Sequence, residues 1–228
     1  MLICHRYKFI FIKTRKTAGT SLEIALSEFC DRDDIITPIF EEDEKIRQKL
    51  GYIQPQNYEI PLKNYTMKDW LRLAVRHQKA SYSNHMSARK IYSHIDPSIW
   101  NNYFKFCFDR NPWDKAVSWY YWLTRSLNQK PTFSEFIHDL DSYKLSNFDV
   151  YSIGDNIAVD RVARFENLDS EMKTIATILN LPKIPTMPKA KGSYRKDKRH
   201  YRELINPNDK ERIFNVCRKE IEYFGYEF

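Results

Sequence analysis

The feature that most constrains this chain is its segment 9–23, which reads FIFIKTRKTAGTSLE. Its apolar start is rich in aromatic and β-branched residues and predicts a buried strand, while residues 22–26 continue as a helix-forming stretch. The loop between them is small, hydroxylated and cationic. Loop amides, the positive end of a helix and a lysine such as Lys16 are the donors with which α/β proteins bind phosphate. The segment therefore predicts an α/β fold with an anion site at a strand end.

The loop is not a Walker P-loop. The pattern GxxxxGK[ST] is absent, and Lys16 precedes Gly19, the only glycine of the loop. An ordinary strand-to-helix turn that happens to contain one lysine would look similar. The motif alone therefore leaves both interpretations open.

Length and charge bound the fold and the partners. A chain of 228 residues with 42% hydrophobic residues fits one α/β domain with a sizeable core. The 37 basic and 30 acidic residues give a net charge of +7, and the sequence pI is about 9.1. Such a surface favours polyanions, and nucleic acids, nucleotides and acidic glycans all qualify. Charge alone does not choose among them.

The four cysteines are isolated, with no CxxC and no Cys/His cluster at metal-ligand spacing, so neither a metal site nor a disulfide framework is expected. Cys107 lies in an apolar run and is predicted to be a buried, inert thiol. The N-terminus does not resemble a signal peptide, and no apolar stretch reaches 18 residues. We expect a soluble, cytoplasmic protein without a membrane span.

Strand-like and helix-like segments alternate along the chain, which predicts a mainly parallel sheet covered on both faces, with ligands at the carboxyl ends of the strands. Residues 40–50 are helix or solvated loop, and 51–64 are irregular. Strands are predicted over 7–13, 34–38, 103–108 and 159–165, and helices over 18–29, 67–77, 87–94, 112–126, from 132 onward, 167–179 and 207–223.

A second motif repeats the design of the first. The apolar run that ends at Phe108 is followed by Arg110, and Asn111-Pro112 are good residues for an N-cap and a first helical position. Arg110 is suited to bidentate contact with a phosphate, and Ser118 lies on a helix face able to look back at the strand end. A surface arginine beside a packed serine is the alternative.

In their order, the residues from Lys16 to Ser21 resemble the 5′-phosphosulfate loop of sulfotransferases that use 3′-phosphoadenosine-5′-phosphosulfate (PAPS). Arg110 followed by Ser118 resembles the 3′-phosphate motif of the same family. Segments 85–91, 162–168 and 222–228 are similar to its bacterial and carbohydrate-type branch, related to the Golgi glycan sulfotransferases. Segment 40–80 matches nothing in this pattern, and we expect acceptor selectivity there.

The resemblance implies one P-loop-like domain over 1–228, PAPS as co-substrate, no metal, and a hydroxyl acceptor, expected to be a carbohydrate rather than nucleic acid. Lys16 would stabilise the leaving phosphate and His85 would act as base. A basic loop opening at Lys189 would close over the nucleotide, with a solvated charge run as the alternative. The implied nucleotide-binding residues are Arg15, Lys16, Thr17, Ala18, Gly19, Thr20, Ser21, Arg110, Ser118, Lys191, Gly192 and Ser193.

Several alternatives stay open at this point. The base is His85, with His77 or an acidic residue of 40–80 in reserve. Arg15 either contacts the phosphosulfate or faces solvent, and Glu166 is expected to orient Arg164 in the core. A P-loop-type kinase, a nucleic-acid-binding protein and a catalytically silent family member are the competing functions.

Overall fold

The computed structural model describes residues 1–188, 197 and 199–228, so the predicted nucleotide-binding residues Lys191, Gly192 and Ser193 lie outside the described residues. The strands are β1 (Leu2–Cys4), β2 (Phe9–Phe11), β3 (Ile35–Ile36), β4 (Phe104–Asp109), β5 (Ser152–Ile153), β6 (Asn156–Ile157) and β7 (Arg161–Arg164). The helices are α1 (Gly19–Ser27), α2 (Glu41–Lys49), α3 (Met67–Arg76), α4 (Ala88–Tyr92), α5 (Pro97–Asn102), α6 (Pro112–Leu123), α7 (Phe133–Asp139), α8 (Ser142–Leu145), α9 (Phe148–Tyr151), α10 (Leu168–Ile178), α11 (Tyr201–Leu204), α12 (Pro207–Val216) and α13 (Arg218–Phe224).

The central sheet has the order β3-β1-β2-β4-β7. Strand β2 pairs parallel with β4, and β4 pairs parallel with β7, whereas β1 is antiparallel to both β2 and β3. Four of these five strands therefore point the same way, which confirms the α/β class and the mainly parallel sheet. The sequence did not predict β1, because three apolar residues at a chain start carry too little periodicity to distinguish a strand.

Side chains of the central strands alternate between two apolar layers, as a sheet buried on both faces requires. Phe9, Phe11, Phe106 and Phe108 point to one layer, where they meet α1 and α10. Cys107 and the alternate residues of β2 point to the other, where α4, α6, α12 and α13 pack. Cys107 is fully buried, which confirms that part of its prediction, and burial raises the pKa of its thiol.

The helix predicted over 207–223 forms as two helices, because Cys217 leaves helical geometry between α12 and α13. Helix α3 forms as predicted, and its apolar side is exposed to solvent, with Leu71 at 65% and Val75 at 67%. Within the part of the chain that the structure describes, no helix has the length and apolarity needed to cross a membrane.

A buried carboxylate, Glu23, joins the first strand–helix unit to α2. Its oxygens lie 2.9 Å from Lys13 Nζ and 3.5 Å from Arg47 Nη2, and the Met1 amino group also contacts it. Burial alone would raise the pKa of Glu23, but these cations outweigh it and the pKa is lowered. Glu23 is therefore ionised and fully buried among its partners.

Glu23→Gln should lower the free energy of unfolding by about 3–5 kcal/mol in urea titrations, because it leaves buried cations without a counter-charge. The matched control is Glu41→Gln, whose exposed pair with Lys45 should contribute no more than about 1 kcal/mol. Because the folded pKa of Glu23 is lowered, its contribution is present above the unfolded pKa of about 4.3 and is lost as the pH falls through the folded value. Equal midpoints for the two variants would contradict the assignment.

Candidate active site

A cleft of about 750 Å³ opens where β2 and β4 end. Every described residue of the predicted site lines it, including His85 and Arg15, whereas His77 ends α3 and is not in the lining. The lining residues are Lys13, Thr14, Arg15, Lys16, Thr17, Ala18, Gly19, Thr20, Ser21, Phe40, His85, Arg110, Ser118, Trp119, Tyr121, Trp122, Phe165, Met187 and Pro188.

The loop after β2 presents the uncapped N-terminus of α1 to this cleft. Lys16 and Ala18 adopt positive φ values of 62° and 55°, and Ala18 is the N-cap residue. An alanine side chain has no oxygen with which to cap, and the first turn of α1 contains no acidic residue. The first amides and the positive end of the helix dipole therefore suit an anion.

Gly19 is required by close packing rather than by an unusual φ. A Cβ built on Gly19 would lie 2.8 Å from Lys13 Cγ and 3.3 Å from the Thr14 carbonyl oxygen. Any larger residue would push the loop away from the Lys13 stem beneath it. The glycine thus lets the helix N-terminus sit directly over the end of β2.

Asn147, which no sequence motif indicated, holds the main chain of this loop. Its Oδ1 accepts a hydrogen bond from the Arg15 amide (3.0 Å), and its Nδ2 donates to the Arg15 carbonyl (3.1 Å) and to Asp109 Oδ1 (3.0 Å). Asp109 ends β4 and is fully buried, with Lys115 Nζ 3.3 Å from Oδ1 and the Tyr151 hydroxyl donating to Oδ2 (3.0 Å). The main chain of the loop after β2 is therefore tied to the end of β4.

The Thr17 hydroxyl is used inside the loop. It lies 2.9 Å from Thr14 Oγ1, and Thr14 Oγ1 in turn donates to the Phe108 carbonyl. Thr17 is buried, whereas Thr20 is partly exposed. Thr17 therefore offers a ligand its amide rather than its hydroxyl.

The Lys16 ammonium lies over two aromatic rings at the cleft wall. Its Nζ is 4.7 Å from the ring centroid of Trp122 and 5.2 Å from that of Trp119. Cation–π attraction favours this position without neutralising the charge. The two tryptophans therefore line the cleft and orient its lysine.

The Arg110 guanidinium is held on three sides. Its Nε and Nη2 donate to Asp114 Oδ2 (2.8 and 2.6 Å), and its Nη1 donates to the Lys16 carbonyl (3.2 Å). Its Cζ lies 4.4 Å from the ring centroid of Phe165. These bonds use three of the five N–H groups of a guanidinium and leave one on each terminal nitrogen. Asp114 occupies the edge of the guanidinium that Nε and Nη2 form. The predicted bidentate contact with a phosphate is therefore limited to the end-on edge, which Nη1 and Nη2 form.

Asn111 caps α6 as predicted, accepting hydrogen bonds from the Trp113 and Asp114 amides (3.0 and 3.3 Å). Glu166 does not orient Arg164 as expected. It accepts from the Asn111 amide (2.6 Å) and the Tyr226 hydroxyl (3.1 Å), while Arg164 bonds the Phe224 carbonyl. Glu166 thus supports the turn that follows Arg110.

The His85 imidazole faces the cleft in a defined tautomer. Nδ1 lies 2.9 Å from the Lys13 carbonyl oxygen, and because a carbonyl only accepts, Nδ1 carries the proton of the neutral ring. Nε2 is then the acceptor. Burial, followed by the nearby charges of Lys13 and Arg15, lowers the pKa of His85 to about 4.

Away from the cleft, Cys4, Cys30 and Asp34 place one possible metal-ligating atom each within 4.8 Å of the others. Both thiols donate to carbonyls at 3.6 Å, those of Phe29 and Leu26. Burial raises the pKa of the Cys30 thiol and so opposes the thiolate that a metal needs. In this structure both thiols are therefore hydrogen-bond donors to main-chain carbonyls.

Comparison with known proteins places the chain in a family. The model described as "Sulfotransferase family" matches residues 1–227. An uncharacterized protein of Archaeoglobus fulgidus is 31% identical over 101 residues, which cover 42% of this chain and 84% of that protein. No solved structure matches.

The His85 imidazole should remain neutral well below the usual range. We expect its resonances, assigned with His85→Gln, to titrate near pH 4 in NMR spectra. Because the unfolded pKa is about 6.5, the unfolded state binds the proton first, and the contribution to stability is lost as the pH falls from that value. A pKa near 6.5 for His85 in the folded protein would contradict a buried imidazole whose Nδ1 donates to the Lys13 carbonyl.

Proposed function

This chain belongs to the sulfotransferase family, and we propose that it transfers a sulfuryl group from PAPS to the hydroxyl of a carbohydrate. The observation that carries the proposal is that both anion loops and His85 line one cleft. A nucleotide with phosphates at both ends of its ribose is the ligand that two separate cationic loops in one cleft would bind. The family itself accounts for the sulfuryl transfer.

The loop after β2 would bind the phosphosulfate end. The amides of Gly19 and Thr20 at the uncapped start of α1, with the Thr20 and Ser21 hydroxyls, supply donors. Lys16 would neutralise the charge that develops on the bridging oxygen as its bond to sulfur breaks. Because the tryptophans hold the ammonium in advance, little reorganisation is needed during the reaction.

The loop after β4 would bind the 3′-phosphate. The end-on N–H pair of Arg110 matches two phosphate oxygens, and Ser118 on α6 adds a hydroxyl. Asp114 and Phe165 fix the guanidinium plane, so the fork loses little freedom on binding. A donor without a 3′-phosphate would forgo these contacts.

His85 would serve as general base through Nε2. The acceptor oxygen forms its bond to sulfur, the bond from sulfur to the 5′-phosphate oxygen breaks, and Nε2 takes the hydroxyl proton. Because its pKa is lowered, His85 does not deprotonate an alcohol before the transfer step. It is, however, neutral at neutral pH, so Nε2 is able to accept the proton during that step. Anionic phosphosulfate beside the ring would raise that pKa and favour proton transfer.

The acceptor side supports a sugar. Trp119, Tyr121 and Trp122 line the cleft beside Lys16, and exposed Phe40 lines it from another segment. Flat aromatic faces pack against the C–H faces of sugar rings and leave hydroxyls free to reach a base. Phe40 is also the one lining residue from segment 40–80, where acceptor selectivity is expected.

Calorimetric titration without magnesium tests the nucleotide assignment. Adenosine 3′,5′-bisphosphate should bind more tightly than 5′-AMP, and Arg110→Gln should reduce that preference by about 10- to 100-fold, the scale for charge-assisted hydrogen bonds. Arg89→Gln, an exposed arginine of α4 outside the cleft, is the matched control. Equal affinity of the unmodified protein for the two nucleotides would overturn the proposal.

Lys16→Ala should reduce transfer by about 10²–10³-fold, the effect of removing one preorganised charge stabiliser. The measurement is release of adenosine 3′,5′-bisphosphate from PAPS in the presence of a panel of sugars. Lys173→Ala, an exposed lysine of α10, should leave transfer unchanged. Near-normal turnover of Lys16→Ala with intact folding would remove Lys16 from its proposed role.

A further inference from the structure

Helix α3 (Met67–Arg76) turns its apolar side toward solvent. Met67, Leu71 and Val75 are 84%, 65% and 67% exposed, and Trp70 is 46% exposed. Together with exposed Ala74 they follow the spacing i, i+3, i+4, i+7, i+8, which is the apolar stripe that an amphipathic helix normally buries. In the described part of the chain, the Trp70 ring packs edge-on against Tyr65, with ring centroids 5.3 Å apart, while Met67, Leu71 and Val75 remain largely exposed to solvent.

The orientation of α3 is fixed by its polar side. Asp69 is buried, and its Oδ2 is 2.8 Å from His94 Nε2 and accepts from the Thr66 amide (2.9 Å) in a capping box. Rolling the helix to bury the apolar stripe would expose Asp69 and leave His94 without this partner. The contacts of Asp69 therefore keep the apolar stripe of α3 facing solvent.

The helix also projects from a defined base. The segments on either side pair with each other, because the Ile60 amide donates to the Ala80 carbonyl (3.0 Å) and the Tyr82 amide to the Tyr58 carbonyl (2.8 Å). Residues 61–79 thus leave and rejoin the body at one place. This arrangement presents α3 outward.

Cations flank the apolar stripe. Lys68, Arg72 and Arg76 recur every four residues and so form a second stripe along α3. Residues 58–80 contain five lysines and arginines against two carboxylates, Glu59 and Asp69, a local charge of 5 − 2 = +3. Apolar and cationic stripes side by side are the composition of a helix that lies in the headgroup region of a bilayer.

We propose that α3 is an interfacial helix that docks this protein on bilayers containing anionic lipid. Its ten residues are about 15 Å long, which suits a helix lying in the plane of the interface. Phosphate headgroups complement the cationic stripe, while the apolar stripe enters the acyl boundary. A second copy is the less suitable occupant, because its own α3 carries the same cations and so offers them no complementary charge.

The test is flotation of the full chain with phosphatidylcholine vesicles, with or without phosphatidylglycerol. We expect binding that needs phosphatidylglycerol, and a decrease of at least about tenfold in partitioning for the double variant Leu71→Ser with Val75→Ser. Both side chains are exposed, so the fold should persist, as circular dichroism will verify. Ile178→Ser, an exposed apolar residue of α10, is the control and should bind as the unmodified protein does.

The charge contribution is tested separately. Lys68→Gln with Arg76→Gln should weaken binding and reduce its dependence on salt. Absence of vesicle binding, or equal binding to vesicles without phosphatidylglycerol, would overturn the proposal. So would dimerisation in light scattering that the Leu71→Ser, Val75→Ser variant abolishes, if vesicles are not bound. None of these outcomes depends on nucleotide binding, so the proposal stands or falls apart from the proposed reaction.

Discussion

The carboxylate of Asp109 is the group on which the cleft depends. It is fully buried at the end of β4, and it accepts hydrogen bonds from the Arg110 amide (2.8 Å) and from Asn147 Nδ2 (3.0 Å). Because the same Asn147 side chain binds the main-chain N–H and C=O of Arg15, one carboxylate sets the positions of the loops that follow β2 and β4. The direct bond from Arg110 to the Lys16 carbonyl closes the connection. Burying this charge is costly, and Lys115 and the Tyr151 hydroxyl offset the cost.

The positive character of the cleft follows from the small number of carboxylates beside its cationic groups. No carboxylate stands in the first turn of α1, and the acidic neighbour of Arg110, Asp114, holds only one side of the guanidinium. The low pKa of His85 has the same origin, since the ring is buried beside Lys13 and Arg15. An anionic ligand would supply the missing negative charge, and so the site is arranged to gain more from an anion than from a neutral molecule.

The parts of this structure that sequence predicts are those determined locally. The strand–loop–helix unit around Lys16 and the Asn111 cap follow from neighbouring residues. His85 was predicted as a site residue from the family resemblance, and it lines the cleft. Asn147 was missed because it meets Arg15 across 132 positions of the chain, and nothing in its own surroundings marks it. For α3, periodicity gave the helix and its apolar side, but not which side faces the body. That is decided by the contact of Asp69 with His94, 25 positions away.

The stretch from Ala80 to His94 links the cleft to the exposed helix. Asn84 Oδ1 accepts a hydrogen bond from Lys13 Nζ (3.1 Å). The next residue, His85, adopts a φ of 57° that brings its ring to the Lys13 carbonyl. His94 at the other end holds Asp69 of α3, and Ile91 between them is fully buried. The contacts that orient the candidate base and those that turn the apolar stripe outward therefore belong to one packed segment. Because both sets of contacts lie in that segment, α3 has a defined orientation relative to the cleft, and a surface that binds α3 would meet the cleft in that orientation.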